Sequence, residues 1–255
     1  MNLVVSDLDN TLIYSYKHDI GEDKIPVELY EGRQVSFMTE KSHELLKRVR
    51  DKVEFVPLTT RSTQQYERIT FDDNWKPHFA LTGNGGSLLV DGVEEEAWKK
   101  ESMRLIAPCK ADLQKAYTIF EEDTNRTLDV RWVDGLFLFT KLKEPEQTLQ
   151  KLKEELGDTE LLFYQNGVKV YAVPKVLNKG IALQRLKKRL QPEYTIAAGD
   201  SMFDVEMLAE ADEAFFPKAL LPLLDQKREK RKKWNQTPEG ELLSDQLLTY
   251  LSNQF

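Results

Sequence analysis

Cysteine is almost absent from this sequence, and long apolar runs are absent altogether. Cys109 is the single cysteine among 255 residues, so no disulfide can form within the chain. Such cysteine usage is typical of proteins from a reducing compartment. No apolar run approaches the roughly 18 residues of a membrane-spanning helix, and the first residues lack the basic and apolar regions of a secretory signal. We therefore expect a cytoplasmic protein that has no membrane partner.

An excess of basic residues is missing as well. The chain has 36 Lys and Arg residues against 43 Asp and Glu residues, a net charge of −7, so no general nucleic-acid-binding surface is expected. Residues 227–233 are a local exception, with six basic residues among seven, and we interpret them as a solvated helix face or loop. The composition, 40% hydrophobic and 31% charged, is that of a soluble globular protein with one large or two modest domains.

Two carboxylates follow the first apolar run of the chain. Residues 3–5 predict a buried strand of a parallel sheet, and Asp7 and Asp9 come at its end. Side chains at positions i and i+2 of an extended chain point the same way, so both carboxylates leave the strand on one face. A hard cation such as Mg²⁺ would relieve their repulsion. The alternative is a solvated and chemically inert turn.

Hydroxyl and amide side chains follow two later strands. Thr59, Thr60 and Arg61 lie between a predicted strand at 53–58 and a predicted helix at 62–69. A hydroxyl that faces the free amides of a helix start can hold a phosphate oxygen, although an ordinary capping threonine gives the same pattern. After a short strand at 78–81, a Gly-Asn-Gly-Gly sequence that contains Asn84 predicts a tight turn with positive φ.

A lysine and an acidic pair complete the candidate residues. Lys179 begins a predicted helix, where its charge opposes the helix dipole, so an anionic partner is expected beside it. The predicted strand at 194–198 is followed by a Gly-Asp-x-x-x-Asp sequence. This spacing places Asp200 at the strand end and Asp204 in the first turn of the next helix.

The middle of the chain has the pattern of a separate module. Helices are predicted at 111–122 and 145–156, and hairpins at 127–140 and 161–173. The hairpin turns are Asp-Gly and Asn-Gly, which are strong short-range turn signals. The module is therefore a small α+β domain with a repeated helix–hairpin order.

Nearer the start of the chain, residues 14–31 are polar, and we predict that this segment is rich in turns.

The candidate residues together resemble the motifs of the haloacid dehalogenase superfamily of phosphohydrolases. Two positions depart from the usual pattern: Thr60 stands where the second motif usually has glycine, and Phe203 where the fourth usually has asparagine. In chain order, the four motifs are Asp7-Leu8-Asp9-Asn10-Thr11, Thr59-Thr60-Arg61, Asn178-Lys179-Gly180 and Gly199-Asp200 with Asp204.

The resemblance implies an α/β fold, with a Rossmann-like parallel-sheet core and an inserted smaller α+β cap domain. The Cof-like and sucrose-phosphatase-like branch of the superfamily carries its cap at this point of the chain. The core would comprise residues 1–100 and 174–255, and the cap residues 101–173. The cap is expected to close over Asp7 and to choose the substrate, and the segment 14–31 is expected to lie over the mouth of the site.

The resemblance also implies the role of each candidate residue. The expected activity is a Mg²⁺-dependent phosphatase that hydrolyses a small phosphomonoester, such as a sugar phosphate, through an aspartyl-phosphate. The partner would be a small phosphorylated metabolite, and the protein a monomer or weak homodimer. The catalytic residues would be Asp7, Asp9, Thr59 and Lys179, the substrate-binding residues Thr60, Arg61 and Asn84, and the metal ligands Asp7, Asp9 through its carbonyl, Asp200 and Asp204.

Two alternatives remain open from the sequence. A phosphomutase of sugar phosphates would share the same motifs and a similar cap. A non-catalytic binding module on the same fold is the other alternative, although the charged catalytic positions are all present. Release of free phosphate from a monoester, without an activating bisphosphate, would distinguish a phosphatase from a mutase.

Overall fold

The computed structural model of the protein describes residues 1–72, 75–227 and 232–255. The chain divides into two compact units, Met1–Glu95 with Lys179–Phe255, and Glu96–Asn178. We call them the large unit and the small unit. That the small unit acts as a cap stays a prediction. Within the basic run at 227–233, residues 228–231 lie outside the described residues, so its interpretation stays a prediction there.

The helices and strands are numbered along the whole described chain. The strands are β1 Asn2–Ser6, β2 Tyr14–Ser15, β3 Lys24–Tyr30, β4 Arg33–Thr39, β5 Glu54–Pro57, β6 Phe79–Thr82, β7 Ser87–Val90, β8 Val93–Glu94, β9 Arg131–Val133, β10 Phe137–Lys141, β11 Leu161–Asn166, β12 Lys169–Pro174, β13 Tyr194–Ala198, β14 Glu213–Pro217 and β15 Lys233–Thr237. The helices are α1 Glu40–Val49, α2 Thr63–Tyr66, α3 Glu96–Ile106, α4 Lys110–Glu121, α5 Pro145–Glu155, α6 Lys179–Leu190, α7 Val205–Glu210, α8 Leu221–Asp225 and α9 Leu243–Gln254.

A five-stranded parallel sheet forms the centre of the large unit, in the order β15-β14-β13-β1-β5. β1 lies between two neighbours, and its successive residues Leu3, Val4 and Val5 are all fully buried, as in a parallel sheet that is covered on both faces. The chain adds β5 on one side of β1 and β13 to β15 on the other. The strand order therefore reverses between β1 and β13, the position at which α/β sheets bind ligands beyond the strand ends. The predicted α/β fold is confirmed.

The helices bury apolar faces against this sheet. The Thr39 hydroxyl accepts a hydrogen bond from the amide of Ser42 at 2.9 Å and so caps the start of α1. Leu46 and Val49 of α1 share a buried cluster with Leu248 of the closing helix α9. No helix in the described ranges is long and apolar enough to cross a membrane.

Three expectations for the large unit are wrong. Residues 14–31 contain β2 and β3, which form an antiparallel sheet with β4 in the order β2-β4-β3. Pro26 and a bulge around Glu28 interrupt the alternation of β3, so the pattern does not predict a strand. The helix expected at 62–69 is only the single turn α2. The basic run was not expected to include a strand, yet its last residue, Lys233, begins β15.

The small unit has one antiparallel sheet in the order β11-β12-β10-β9. The observed order α4, β9–β10, α5, β11–β12 is the predicted helix–hairpin–helix–hairpin order. Phe120 of α4 and Leu152 of α5 pack with Leu138 and Ala172 of the sheet in one buried cluster. The cluster also holds the single cysteine, Cys109, which is buried. Helix α3 was not predicted.

A turn of positive φ connects β6 to β7. Asn84 has φ of 59° and Gly85 has φ of 88°, as the Gly-Asn-Gly-Gly sequence predicts. A Cβ atom on Gly85 would lie 2.2 Å from the Cβ of Ala182 in α6. Glycine at this position therefore lets the turn approach the helix that begins with Lys179.

Replacing Gly85 with alanine should lower the free energy of unfolding by about 2–4 kcal/mol, the sum of overpacking against α6 and an unfavourable φ. Gly92→Ala is the matched control, because Gly92 has φ of 81° and nothing within 4 Å of its Cβ position. The control should lose only about 1–2 kcal/mol. Urea denaturation measures the free energy of unfolding of both variants. An equal decrease in the two variants would contradict a close approach at Gly85.

Candidate active site

Three carboxylates meet at the carboxyl edge of the parallel sheet. Asp7 follows β1, Asp200 follows β13, and Asp204 lies in the short turn before α7. Because β1 and β13 are parallel neighbours, their ends lie side by side. One carboxylate oxygen of each residue lies within 4.8 Å of the others. The structure thus brings together three of the four residues that were expected as metal ligands, Asp7, Asp200 and Asp204.

Backbone contacts and one glycine hold these acids in place. The Asp7 amide donates to the Ala198 carbonyl at 2.9 Å, which joins the two strand ends. The amide and hydroxyl of Ser201 donate to Oδ2 of Asp204 at 2.9 and 2.8 Å. A Cβ on Gly199 would lie 2.3 Å from the Cβ of Asp204. A residue with a side chain at position 199 would therefore displace Asp204.

Lys179 supplies the positive charge of the cluster. Its Nζ lies 2.5 Å from Oδ1 of Asp7 and 2.6 Å from Oδ1 of Asp204, and its side chain is buried. Burial by itself lowers the pKa of Lys179, but the charges of Asp204 and Asp7 outweigh burial and raise this pKa above the usual lysine value. The anionic partner expected beside the lysine at the start of α6 is confirmed.

Burial and mutual repulsion weaken the acidity of the carboxyl groups. Burial raises the pKa of Asp7 well above its usual value; Lys179 opposes this shift, whereas Asp204 and Asp200 add to it. Burial, and next the charge of Asp204, raise the pKa of Asp200 to about 7. One ammonium group does not balance three carboxylates. The oxygen-only donor set and this unbalanced charge fit a hard divalent cation.

Thr11 is a residue of this site that was not among the predicted site residues. Its hydroxyl donates to Oδ1 of Asp200 at 3.3 Å, and its side chain is fully buried. This hydrogen bond lowers the pKa of Asp200, against the larger effect of burial. The signal was present in the sequence, because Thr11 is the last residue of the Asp-x-Asp-x-Thr motif.

Asp9 lies apart from the carboxylate cluster in a separate ion pair. Oδ2 and Oδ1 of Asp9 accept hydrogen bonds from Nε and Nη2 of Arg61 at 2.8 and 2.7 Å. Nη1 of Arg61 donates to Oε2 of Glu28 at 2.9 Å. The guanidinium expected to contact substrate is thus directed at two protein carboxylates. Nothing in the sequence pattern pointed to Glu28, because its segment was predicted to be a loop.

The residues of the second motif are tied to the turn after β6. The Thr59 hydroxyl accepts from the Arg61 amide at 3.1 Å, and the Thr59 carbonyl accepts from the Asn84 amide at 2.8 Å. Thr59 and Asn84 are buried, whereas Thr60 is half-buried. A hydroxyl that accepts one bond still has a hydrogen to donate. Which of Thr59 and Thr60 faces a phosphate group, and the role of Asn84, stay predictions.

A cleft of about 570 Å³ lies in the large unit and is lined in part by Asn10 and Asp200. The segments that follow β14 and β15 contribute Lys218 and Glu239 to its wall. His18 also lines it, with its ring centre 5.2 Å from that of Tyr14. The cleft has the volume of a small-molecule site.

The fold and this site have counterparts among known proteins. The chain is similar in structure to the sucrose-phosphatase from Synechocystis sp. PCC6803 in complex with sucrose and phosphate, with 18% identity, a TM-score of 0.67 and coverage of 98% of this chain and 96% of that one. It is also similar to a haloacid dehalogenase-like hydrolase from B. subtilis, with 15% identity, a TM-score of 0.61 and coverage of 100% of both chains. The C-terminal domain of C. albicans trehalose-6-phosphate phosphatase matches with 13% identity, a TM-score of 0.57 and coverage of 100% of this chain and 93% of that one.

These similarities, at such low identity, concern the fold. A comparison with curated proteins gives no match. The family of haloacid dehalogenase-like hydrolases, however, matches residues 4–216, a span that includes all four predicted motifs. Because that match extends over most of the sequence, the chain belongs to the haloacid dehalogenase-like hydrolase family.

Proposed function

We propose that this hydrolase is a Mg²⁺-dependent phosphatase that cleaves a small phosphomonoester, such as a sugar phosphate, through an aspartyl-phosphate. The observation that carries the proposal is the buried Lys179, which contacts both Asp7 and Asp204. A carboxylate oxygen of Asp200 lies within 4.8 Å of an oxygen of each of these two acids. Family membership and the similarity to structures named as sucrose-phosphatase and trehalose-6-phosphate phosphatase support it.

In the first step, a carboxylate oxygen of Asp7 attacks phosphorus and forms an acyl phosphate. The bond between phosphorus and the ester oxygen breaks, and the carboxyl group of Asp9 gives its proton to that departing oxygen. Lys179 and the Thr59 hydroxyl hold the other phosphate oxygens. Loss of one such contact typically costs on the order of 3 kcal/mol of barrier.

In the second step, the Asp9 carboxylate takes a proton from water, and the resulting hydroxide oxygen attacks phosphorus. The acyl phosphate bond breaks, which releases inorganic phosphate and restores the Asp7 carboxylate. The proton then on Asp9 serves the next turnover. Asp9 therefore acts once as an acid and once as a base, so its carboxyl group must stay next to the reacting phosphorus in both steps.

Asp7, Asp200, Asp204 and the carbonyl of Asp9 would hold the metal ion. Bound there, Mg²⁺ would supply positive charge that reduces the repulsion between an anionic phosphate and an anionic nucleophile. The cleft beside Asp200 offers space for a small leaving group. The choice of leaving group by the small unit stays a prediction.

Replacing Asp7 with asparagine should reduce phosphate release to background, because the amide is a poor nucleophile and the nearby Asp9 is held by Arg61 through both of its carboxylate oxygens. A panel of phosphorylated sugars and polyols with Mg²⁺, read as released phosphate and without added bisphosphate, measures this. After an acid quench with ³²P-labelled substrate, the wild-type protein should retain hydroxylamine-sensitive label and the variant none.

Asp225→Asn is the matched control for this experiment. It makes the same change of charge at an exposed position of the large unit, and it should leave phosphate release unchanged. Near-wild-type activity of the Asp7 variant would contradict the mechanism. A wild-type protein that is active only with an added bisphosphate would favour a mutase.

Mg²⁺ should raise the melting temperature of the wild-type protein by roughly 5 °C or more at saturating concentration. The increase should be larger at pH 8 than at pH 5.5, because Asp200, with a pKa of about 7, holds a proton below that pH and competes with the cation. Asp200→Asn should remove most of the increase, and Asp225→Asn should keep it. An equal increase in both variants would exclude this metal site, and full activity in excess chelator would exclude the metal requirement.

A further inference from the structure

We propose that Glu28 is a positioning residue for the proposed reaction, which holds Asp9 in place through Arg61. The inference rests on the proposed phosphatase function, in which Asp9 exchanges protons with the leaving group and with water. It adds to that function a residue outside the four motifs, located on the antiparallel sheet β2-β4-β3.

Glu28 is a buried acid whose two oxygens both have partners. Oε2 accepts a hydrogen bond from the Ser36 hydroxyl at 2.6 Å and one from Nη1 of Arg61 at 2.9 Å. Oε1 lies 3.0 Å from Nη2 of Arg68. The Glu28 side chain is 2% exposed, so its orientation is fixed by these contacts. A buried carboxylate of this kind requires compensating charges, and the two arginines provide them.

The bulge in β3 explains why a charged residue occupies this position. The register between β3 and β4 shifts between Pro26 and Glu28 and again between Glu28 and Leu29. Such bulges turn a side chain away from the regular alternation. Glu28 pairs with Ser36 across the sheet and also forms an isolated bridge with Ile69, which follows α2. The bulge thus directs Glu28 toward the segment that carries Arg61.

Arg61 connects Glu28 to Asp9 through one rigid planar group. Its Nη1 contacts Glu28, while its Nε and Nη2 contact the two oxygens of Asp9. The Arg61 side chain is 13% exposed, but that of Asp9 is 47% exposed. A half-exposed carboxylate samples several rotamers unless a partner restricts it. Because the guanidinium is planar, an anchor at Nη1 also fixes the two donors that face Asp9.

The consequence should depend on the leaving group. A basic leaving oxygen needs a proton as its bond to phosphorus breaks, whereas a weakly basic one departs without this assistance. A displaced Asp9 should therefore slow the cleavage of phenyl phosphate more than that of p-nitrophenyl phosphate, which has the same shape near the reacting bond. The ratio kcat/KM reports on this first step, because kcat/KM includes only the steps up to and including the first irreversible one.

The experiment compares Glu28→Gln with Glu213→Gln. Glu213 is an equally buried acid of the large unit, with its side chain 1% exposed. Its partners lie on β13, β15 and α9, and they are Tyr194, Lys233, Asn235 and Tyr250. In Glu28→Gln, the ratio of kcat/KM for phenyl phosphate to that for p-nitrophenyl phosphate should fall roughly tenfold. Glu213→Gln should change kcat/KM by the same factor for both substrates and so leave the ratio unchanged, as expected for a purely structural effect.

A second readout does not depend on activity. The Nε–H of Arg61, which donates to Asp9, should give a resolved and slowly exchanging NMR signal in the wild-type protein, and Glu28→Gln should broaden it or speed its exchange. If Glu28→Gln does not fold, Ser36→Ala removes one hydrogen bond to Glu28 and should show the same effects in smaller degree. Glu28→Asp should restore part of the substrate ratio.

The outcomes separate this inference from the proposed function. A wild-type protein that releases phosphate from neither substrate overturns the phosphatase function, and with it the role of Glu28. A wild-type protein that is active, with an unchanged substrate ratio in Glu28→Gln, overturns the inference alone. An unchanged Arg61 signal in that variant would also overturn it.

Discussion

The contact of Lys179 with Asp7 and Asp204 is the interaction on which the candidate site depends. A buried ammonium group is stable only where opposite charges compensate for the water that it has lost. The two carboxylates do so, and they come from the end of β1 and the turn before α7. The contact therefore holds three separate elements of the large unit together, since Lys179 itself begins α6. Any phosphate bound beside Asp7 would meet this positive charge.

Two groups of charged side chains in the large unit differ in their balance of charge. Asp7, Asp200 and Asp204 share one ammonium group, so negative charge is in excess there. Asp9 belongs to the other group, in which the two acids Asp9 and Glu28 meet the two arginines at 61 and 68. The second group is balanced without a cation. This difference explains why a metal ion fits at the first group, while the second is suited to hold one carboxylate in a defined orientation.

Much of the large unit was predictable because the relevant signals are local. The apolar run before Asp7 predicted a buried strand, and the Gly-Asn-Gly-Gly sequence predicted the turn of positive φ after β6. The two hairpins of the small unit followed from their Asp-Gly and Asn-Gly turns. β3 and β15 were not predictable in this way. The first is interrupted by Pro26 and a bulge at Glu28, and the second is a polar strand whose place beside β14 depends on long-range pairing.

The sequence by itself determined that Asp7 and Asp200 follow predicted strands and that Lys179 begins a predicted helix. The resemblance of the four motifs to those of a known superfamily implied that these residues and Asp204 belong to one site. The carboxyl ends of parallel strands share one edge of a sheet, which accounts for the meeting of the acids that follow β1 and β13. Only the tertiary structure decided that Arg61 contacts Asp9 and that a buried Glu28 supports it. These side chains come from segments far apart in sequence, and their pairing depends on the fold of β3 against β4 and on charge compensation in a buried place, which no local pattern encodes.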